Sequence, residues 1–428
     1  GSFDIHPEFN KGDIGFRHYY QFNLDQGDIA NLIFKMQQSG VNIEQFVNLV
    51  DKTININGII NTMRDNNFYG GRAIFVSPNG MVVGASGVLN VGSLTAIAPA
   101  PNDYLRFAGA TMGQGVLNDA ANNLGVSSVI DIPGAGSFED NMTRIEAADQ
   151  KGDINIQGKI IARNDVSLKG KNIIIGQEGS VNKAGIVAGV GANNMTNNHG
   201  NADQILTTNK QAENLFNALV NNDVVSGKGF GNENGKITIA AQSFRENSVV
   251  TVADKIGDKL IETIVQEAKE QGIDEAEAIQ NAINDYLIEI GDVNDPDSIE
   301  TNKATVTIHN ATIAGEDVDI TATSKIDYIS LKGNPMVDFI SGSAIGNKIQ
   351  SMISGNDYDY EGARAKATID IGNGAEIKAT GDVNAKSLAI ANTNVKLSSK
   401  KTPVTDTTGE LYYSVGTKTV STVNVKDG

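Results

Sequence analysis

Cysteine is absent from the 428 residues, which excludes disulfides, thiolate metal centres and cysteine catalysis together. The same absence suits a chain that crosses a periplasm unfolded. No run of about 18 apolar residues occurs, so nothing in the sequence spans a bilayer as a helix. No charged-then-apolar leader opens it either; Gly1-Ser2 reads as a cloning remnant, and an export signal peptide would precede it. Basic residues are the minority, 34 Lys and Arg against 51 Asp and Glu, for a net charge of −17. Such a surface repels phosphate backbones and anionic lipid at neutral pH, which argues against a nucleic-acid partner. His6, His18, His199 and His309 show no i, i+4 pairing, so a zinc site is not expected, and His18 is expected to pack with Tyr19 and Tyr20. The glycine-rich pieces 185–191 and 227–235 lack a following Lys-Ser/Thr and read as turns rather than phosphate cradles. No cofactor is expected.

Glycine is plentiful at 46 residues, proline is held to 8 and aromatics to 6%, while 40% of the chain is hydrophobic. That balance suits many short strands joined by tight turns, not disorder. From Thr53 onward apolar and polar residues alternate: Ile54, Ile56, then Ile59 and Ile60, with Asn57-Gly58 at the corner. The unit returns 100 residues later, where Asp153 to Ile161 repeats Lys52 to Ile60 almost position for position. Further copies start at Asp165, Asn172, Gly235, Ala304, Glu316, Ala367, Glu376 and Asp382. Each unit is too small to bury its apolar side alone. Stacked at about 4.8 Å per turn, the units would line their Ile and Val into one internal column, with Asn at corners bonding from turn to turn. The expected fold is therefore all-β: a right-handed parallel β-helix with an N-terminal cap and extra-helical α-helical insertions.

Two segments break the rhythm with helical spacing. Residues 201–222 carry Ile205, Leu206, Ala212, Leu215, Phe216, Leu219 and Val220; residues 251–300 carry a helical hairpin, with Gly272 as C-cap and Asp274 as the next N-cap. A third excursion is read near 333–362. Near the start, Ile29, Leu32, Ile33 and Met36 also fall at helical spacing, so a short helix competes there with capping strands. The organisation expected is a cap and first domain over 3–101, continuing β-helix over 102–250 with its excursion, the hairpin over 251–300, and further rungs over 301–428. The excursions are candidate partner-binding surfaces.

The order of motifs over Phe16 to Pro101 resembles the haemagglutination-activity, or TPS, domain of two-partner secretion exoproteins. A strand ends in Asn57-Gly58; Gly70 to Val76 follows; then come the NPNG-type turn Ser77-Pro78-Asn79-Gly80 and the segment Gly92-Ser93-Leu94-Thr95-Ala96. Phe22-Asn23-Leu24 with Gly27 is similar to the family's opening capping segment. The general character is similar to leukotoxin-type and filamentous-haemagglutinin-like adhesins. The resemblance implies a non-enzymatic region of a large secreted adhesin that directs export and begins an adhesive filament. Its partners would be the periplasmic repeats of an outer-membrane transporter and, once outside, a host-cell receptor or glycan. Localisation would be secreted or cell-surface after transit through the periplasm. The residues implied in transporter recognition or in shaping its motif are Ser77, Pro78, Asn79, Gly80, Asn57, Gly58, Phe22 and Asn23.

A β-helix carbohydrate-active enzyme and a purely structural stalk are the alternatives. The enzyme needs carboxylates clustered in one groove; Asp317 and Asp319, Asp370, and Asp357 to Glu361 are the candidates. Outward Asp at i and i+2 is also what an acidic solenoid surface shows. The stretch Asp292 to Glu300 lacks the Gly and terminal Glu of a calcium loop and reads as a helix-ending turn. Ser77 beside Pro78 is a turn residue without a base.

Overall fold

In the computed structural model, residues 1–126, 136–189, 203–221, 235–247, 266–274, 277–278, 302–330, 361–395 and 415–426 are described. The protein is mostly β, with three sheets dominated by parallel pairs and few helices. The chain visits the sheets in strict rotation. The first pass is β1 (Ser2–Ile5), then β2 (Phe9–Lys11) folded back antiparallel on β3 (Ile14–Tyr19), then β4 (Phe22–Leu24). The second is β5 (Ile29–Ile33), β6 (Gln45–Val50), β7 (Ile54–Ile56). The third is β8 (Ile59–Arg64) with its antiparallel partner β9 (Asn67–Phe68), β10 (Arg72–Val76) and β11 (Met81–Val83). Next come β12 (Val88–Val91) and β13 (Ser93–Ile97), the helices α1 (Pro101–Met112), α2 (Gln114–Leu124) and α3 (Phe138–Ala147), and β14 (Ile154–Ile156). The fifth pass is β15 (Lys159–Ala162), β16 (Val166–Gly170), β17 (Asn172–Ile175); the sixth is β18 (Ala184–Ala188), α4 (Asn209–Val220), β19 (Ile237–Asn247), β20 (Asn302–Ile308). The last two are β21 (Ala311–Gly315), β22 (Val318–Ser330), β23 (Glu361–Ile371), and β24 (Ala375–Ala379), β25 (Val383–Val395), β26 (Val415–Val425). The segment around Ile29 is thus strand, because its apolar residues pair with β8 and not with a helical neighbour.

Register explains why alternation was the signal. On the sheet holding β4 and β7, Phe22, Ile54, Met81, Ile154, Ile173, Val306 and Ile369 stack in one buried column. On the sheet holding β5 and β8, Ala30, Ile60, Leu89, Ile160, Ile186 and Ile313 do the same. These columns join Phe46, Ala73, Leu94 and Val166 of the third sheet in a single apolar cluster. Each fully buried Ile or Leu contributes about 1.5–3 kcal/mol, so the column is the main stabilising term. The two repeats seen in sequence lie in the same columns, with β11 and β12 between them.

The outer faces differ. On the β6–β10 sheet, Val47, Leu49, Ile74, Val76 and Ile97 point away from the central cluster and are covered by Tyr104, Leu105, Phe107, Leu117, Met142 and Ile145 of α1 to α3. The first part of 102–250, read from sequence as continuing β-helix, carries α1 to α3 for this reason: an apolar outer face needs a cover, and these helices supply it. Pro101 opens α1, Gly125 ends α2 at φ 68°, and the Ser137 hydroxyl caps α3 by accepting from Asp140 N–H. On the β8–β12 sheet, Ile59, Val88, Ile161 and Val187 are covered by Ala212, Leu215, Phe216, Leu219 and Val220 of α4, which opens with a Thr208–Gln211 capping box. The third outer face carries Asn23, Asn55, Val82 and Asn155, exposed or half-buried. Residues 266–271 are helical, Gly272 takes φ 68°, and the Asp274 carboxylate accepts from Glu277 N–H at 3.2 Å. The rest of the 251–300 hairpin and nearly all of the 333–362 excursion lie outside the described residues.

Candidate functional site

The residues singled out by resemblance separate into two corners. The first lies between the β3–β6–β10 sheet and the β4–β7–β11 sheet, where three successive passes stack. Asp51 N–H donates to Tyr19 O at 3.0 Å, Lys52 N–H to Tyr20 O at 2.9 Å, and Phe22 N–H to Thr53 O at 3.2 Å. On the other side of Asp51–Thr53 sits the turn Ser77–Gly80, closed by Gly80 N–H to Ser77 O at 3.1 Å. Ser at the first position, Pro at the second and Gly at the fourth are the residue types a type I turn favours. The Ser77 hydroxyl donates to Lys52 O, and the Asn79 amide donates to Asp51 O at 3.4 Å. Gly80 has φ +87°, and a Cβ there would lie 2.0 Å from Asp153 O, so no other residue fits. Ser77, Pro78 and Gly80 are buried and Asn79 is exposed. Phe22 is buried edge-on to Phe75 at 5.7 Å and to Tyr19 at 5.4 Å, while Asn23 is exposed and accepts from the Asn55 amide at 3.2 Å. Asn57 and Gly58 belong to the opposite corner, where both backbone N–H groups reach Leu24 O and Asn57 O accepts from the Ser86 hydroxyl at 2.7 Å.

Beneath the first corner lies Asp51, fully buried. Its two carboxylate oxygens lie 2.8 Å from His18 Nε2, and accept from Tyr104 OH at 2.7 Å and Asn123 Nδ2 at 2.7 Å. Burial, and then the Asp51 charge, pushes the Tyr104 hydroxyl well above the ordinary tyrosine range. His18 therefore does not pack among Tyr19 and Tyr20; it turns to this carboxylate. No hydroxyl or thiol nucleophile hydrogen-bonds to His18 among the described residues, and the carboxylate is saturated by donors. Chemically the cluster is a fastener: it joins β3, the β6–β7 corner, α1 and α2 at one point. Sequence reading missed Asp51, Tyr104 and Asn123, which stand 33, 53 and 72 residues from their partners in the cluster and share no motif.

A second polar device crosses the β8–β12 sheet. Asn31 donates to Asp4 at 2.9 Å, Asn61 to Asn31 at 3.3 Å, and Asn90 to Asn61 at 2.8 Å, while Arg163 donates to Asn90. Asn61 also pairs with the backbone of Leu206 in both directions, 2.9 Å each way, and Asn90 donates to Gln204 O at 2.9 Å. Arg163, held down to about 10 by burial, meets Asp203 at 3.5 Å and lies 4.0 Å from the Phe68 ring centroid. The stacked amides foreseen at corners thus sit within strands and run from pass to pass across the sheet, and they clamp the segment leading into α4. The apolar faces of α1 to α4 are spent on the sheets and are not offered as binding stripes.

Of the carboxylates considered for an enzyme, Asp317, Asp319 and Asp370 are each tied to a neighbouring pass. Asp317 accepts from Asp382 N–H at 2.9 Å. Asp319 accepts from Asn384 and lies 3.0 Å from Lys236, and these hydrogen bonds lower its pKa. Asp370 lies 3.3 Å from His309 Nε2. Residues 357–360, the loop 292–300 and His199 lie outside the described residues; His6 Nδ1 is 3.1 Å from Lys35 O. Among the described residues no group of three or more His, Asp or Glu is placed to hold a metal ion, and no helix is long and apolar enough to cross a membrane. No protein-family model, curated protein or solved structure matches this chain.

Proposed function

We propose that the chain is the export-directing region of a secreted two-partner exoprotein, folded as a right-handed parallel β-helix and starting a β-helical adhesive filament. Strict three-sheet rotation with one shared apolar cluster supports the β-helix, and parallel crossovers are right-handed in nearly all proteins. The observation that carries the export reading is the Ser77–Gly80 turn: three of its residues are buried in the stack, and Asn79 alone is presented outward at a corner. A rigid turn with one outward Asn, its side chain steadied on Asp51 O, is a suitable mark for the periplasmic repeats of an outer-membrane transporter. Nearest-neighbour stacking suits folding during emergence, because each pass finds its template already formed. An adhesive role on a host receptor or glycan follows from the same reading.

The test is release of this chain, carrying a signal peptide, from cells with and without the partner transporter, for wild type and Asn79→Ala. Export dependent on the transporter and reduced by the substitution is the expected result. Periplasmic retention in both strains would overturn the reading.

A further inference from the structure

Lysines line the edge of the stack where the β3–β6–β10 sheet gives way to the β4–β7–β11 sheet. Successive passes bring Tyr20, Lys52, Asn79, Lys151 and Lys171 there in turn. Backbone bonds fix the order: Lys52 N–H donates to Tyr20 O at 2.9 Å, Met81 N–H to Asp153 O at 3.0 Å, Lys171 N–H to Gly152 O at 2.9 Å and Thr305 N–H to Lys171 O at 3.2 Å. Lys303, two residues before Thr305, is directly paired with Lys366 on the next strand. Passes stand about 4.8 Å apart, so Lys151, Lys171, Lys303 and Lys366 follow one another pass by pass, with Lys52 on the far side of Asn79. Tyr20, Asn79, Lys151, Lys303 and Lys366 are exposed; Lys52 and Lys171 are half-buried.

None of these lysines forms an ion pair among the described residues, whereas Lys35, Lys183, Lys236 and Lys378 are each paired with a carboxylate elsewhere on the chain. Lys303 against Lys366 is a like-charge pair on neighbouring strands, a destabilising arrangement that an anion would relieve. The carboxylates of this edge do not cancel the charge. Asp51 is buried under its three donors, Asp149 accepts from Phe244 N–H at 2.7 Å, and Asp103 faces Arg106 at 3.6 Å. Asp153, the exposed one, accepts from the Asn172 amide at 3.0 Å. Asp370 lies four residues along β23 from Lys366, about 13 Å away, and charges act over roughly 8 Å at physiological salt. The lysines and Arg106 outnumber the four nearer carboxylates, which leaves a positive ridge on a chain of net charge −17.

The ridge is one side chain wide, so it suits a segment laid along it and not a flat charged surface. A membrane or a dense polyanion would also meet the rest of an acidic chain and be repelled. Tyr20, 56% exposed, and Asn79 flank Lys52, and tyrosine is a residue type enriched at protein interfaces. We propose that the ridge docks an acidic, extended segment of the protein partner that reads the Ser77–Gly80 turn. That partner is the one supplied by the export reading, on which its identity rests; its chemistry comes from the lysines.

The test is fluorescence anisotropy of a labelled oligoglutamate peptide with the whole chain, run beside release through the transporter. Lys151, Lys303 and Lys366 are exposed, so Lys151→Gln, Lys303→Gln and Lys366→Gln together leave the packing intact. This ridge variant is expected to bind the peptide about tenfold more weakly and to be released less. A charge-matched variant carrying Lys11→Gln, Lys210→Gln and Lys386→Gln is expected to match wild type in both. Raising the salt is expected to weaken the wild-type complex. Heparin is expected to displace the peptide no better than unlabelled oligoglutamate does; stronger displacement would assign the ridge to a sulfated glycan and overturn the proposal. Equal peptide binding by the two triple variants would overturn it too, even with release dependent on the transporter. Release that ignores the transporter, with peptide binding still lost in the ridge variant, would leave the acidic-segment site standing and sink the export reading alone.

Discussion

Replacing Asp51 tests whether one buried carboxylate fastens the helical cover to the corner. In Asp51→Ala, His18 Nε2, Tyr104 OH and Asn123 Nδ2 lose their shared acceptor inside the fold. A hydrogen bond to a charged group contributes about 1.5–3 kcal/mol, and these three are not additive because they share one anion. Removing one partner from a buried charged cluster costs on the order of 3–5 kcal/mol. Asp51→Asn keeps the volume and one acceptor oxygen while turning an N–H against an existing donor, so its cost should be about 1–3 kcal/mol. The effect should also be local, since stacked passes couple to their neighbours and little beyond. Hydrogen exchange read by mass spectrometry separates these claims. Peptides over 101–124 should exchange roughly a hundredfold faster in Asp51→Ala, as about 3 kcal/mol requires, and less so in Asp51→Asn. Peptides over 302–315, four passes away, should not change. Equal behaviour of the two variants, or acceleration spread evenly along the chain, would refute the fastener.

Asn61→Leu removes the amide that pairs with Leu206 in both directions and is expected to cost about 2–3 kcal/mol, seen as faster exchange over 203–221. Gly185→Ala puts a methyl into the Phe216 ring and should lift α4, costing about 1–3 kcal/mol and exposing Val88 and Val187 to a hydrophobic dye. Asp149 is pushed up to about 6 by burial, from an ordinary 3.8, while its carboxylate accepts from Phe244 N–H at 2.7 Å. The native state therefore holds this proton more tightly than the unfolded chain, so the group's contribution is fully present below pH 4 and is lost as pH rises through about 6. Asp149→Asn should flatten that fall, measured as urea midpoints at pH 4.5 and 7.0; an unchanged difference between the two midpoints would sink the assignment.

Alternation made the inner columns legible: the Ile-Asn-Ile strands β7 and β14 have one buried side and one wet side, and sequence shows both. The α4 excursion was legible for the same reason, through a single apolar stripe at helical spacing. The cluster around Asp51 was not, because its members come from four segments and nothing in their local sequence departs from ordinary turn and helix composition. The cover formed by α1 to α3 stands between these cases. Its helices carry apolar stripes at helical spacing, Leu105, Ala108 and Met112 in α1 and Leu117, Ala120, Ala121 and Leu124 in α2, but Gly113 and Gly125 cut each one short. The strands they cover carry the missing signal: β6 reads Phe-Val-Asn-Leu-Val and β10 Ala-Ile-Phe-Val, apolar on both faces. A strand apolar on both faces must be buried on both, and the stack can bury only one. Such strands therefore require an excursion elsewhere in the chain, whereas β4 and β7, polar on the outer side, require none. Read in that way, the sequence of β6 already implies that something other than a rung follows, and the uncovered face is the one where most strands alternate, with Val82 and Ile174 as its apolar exceptions.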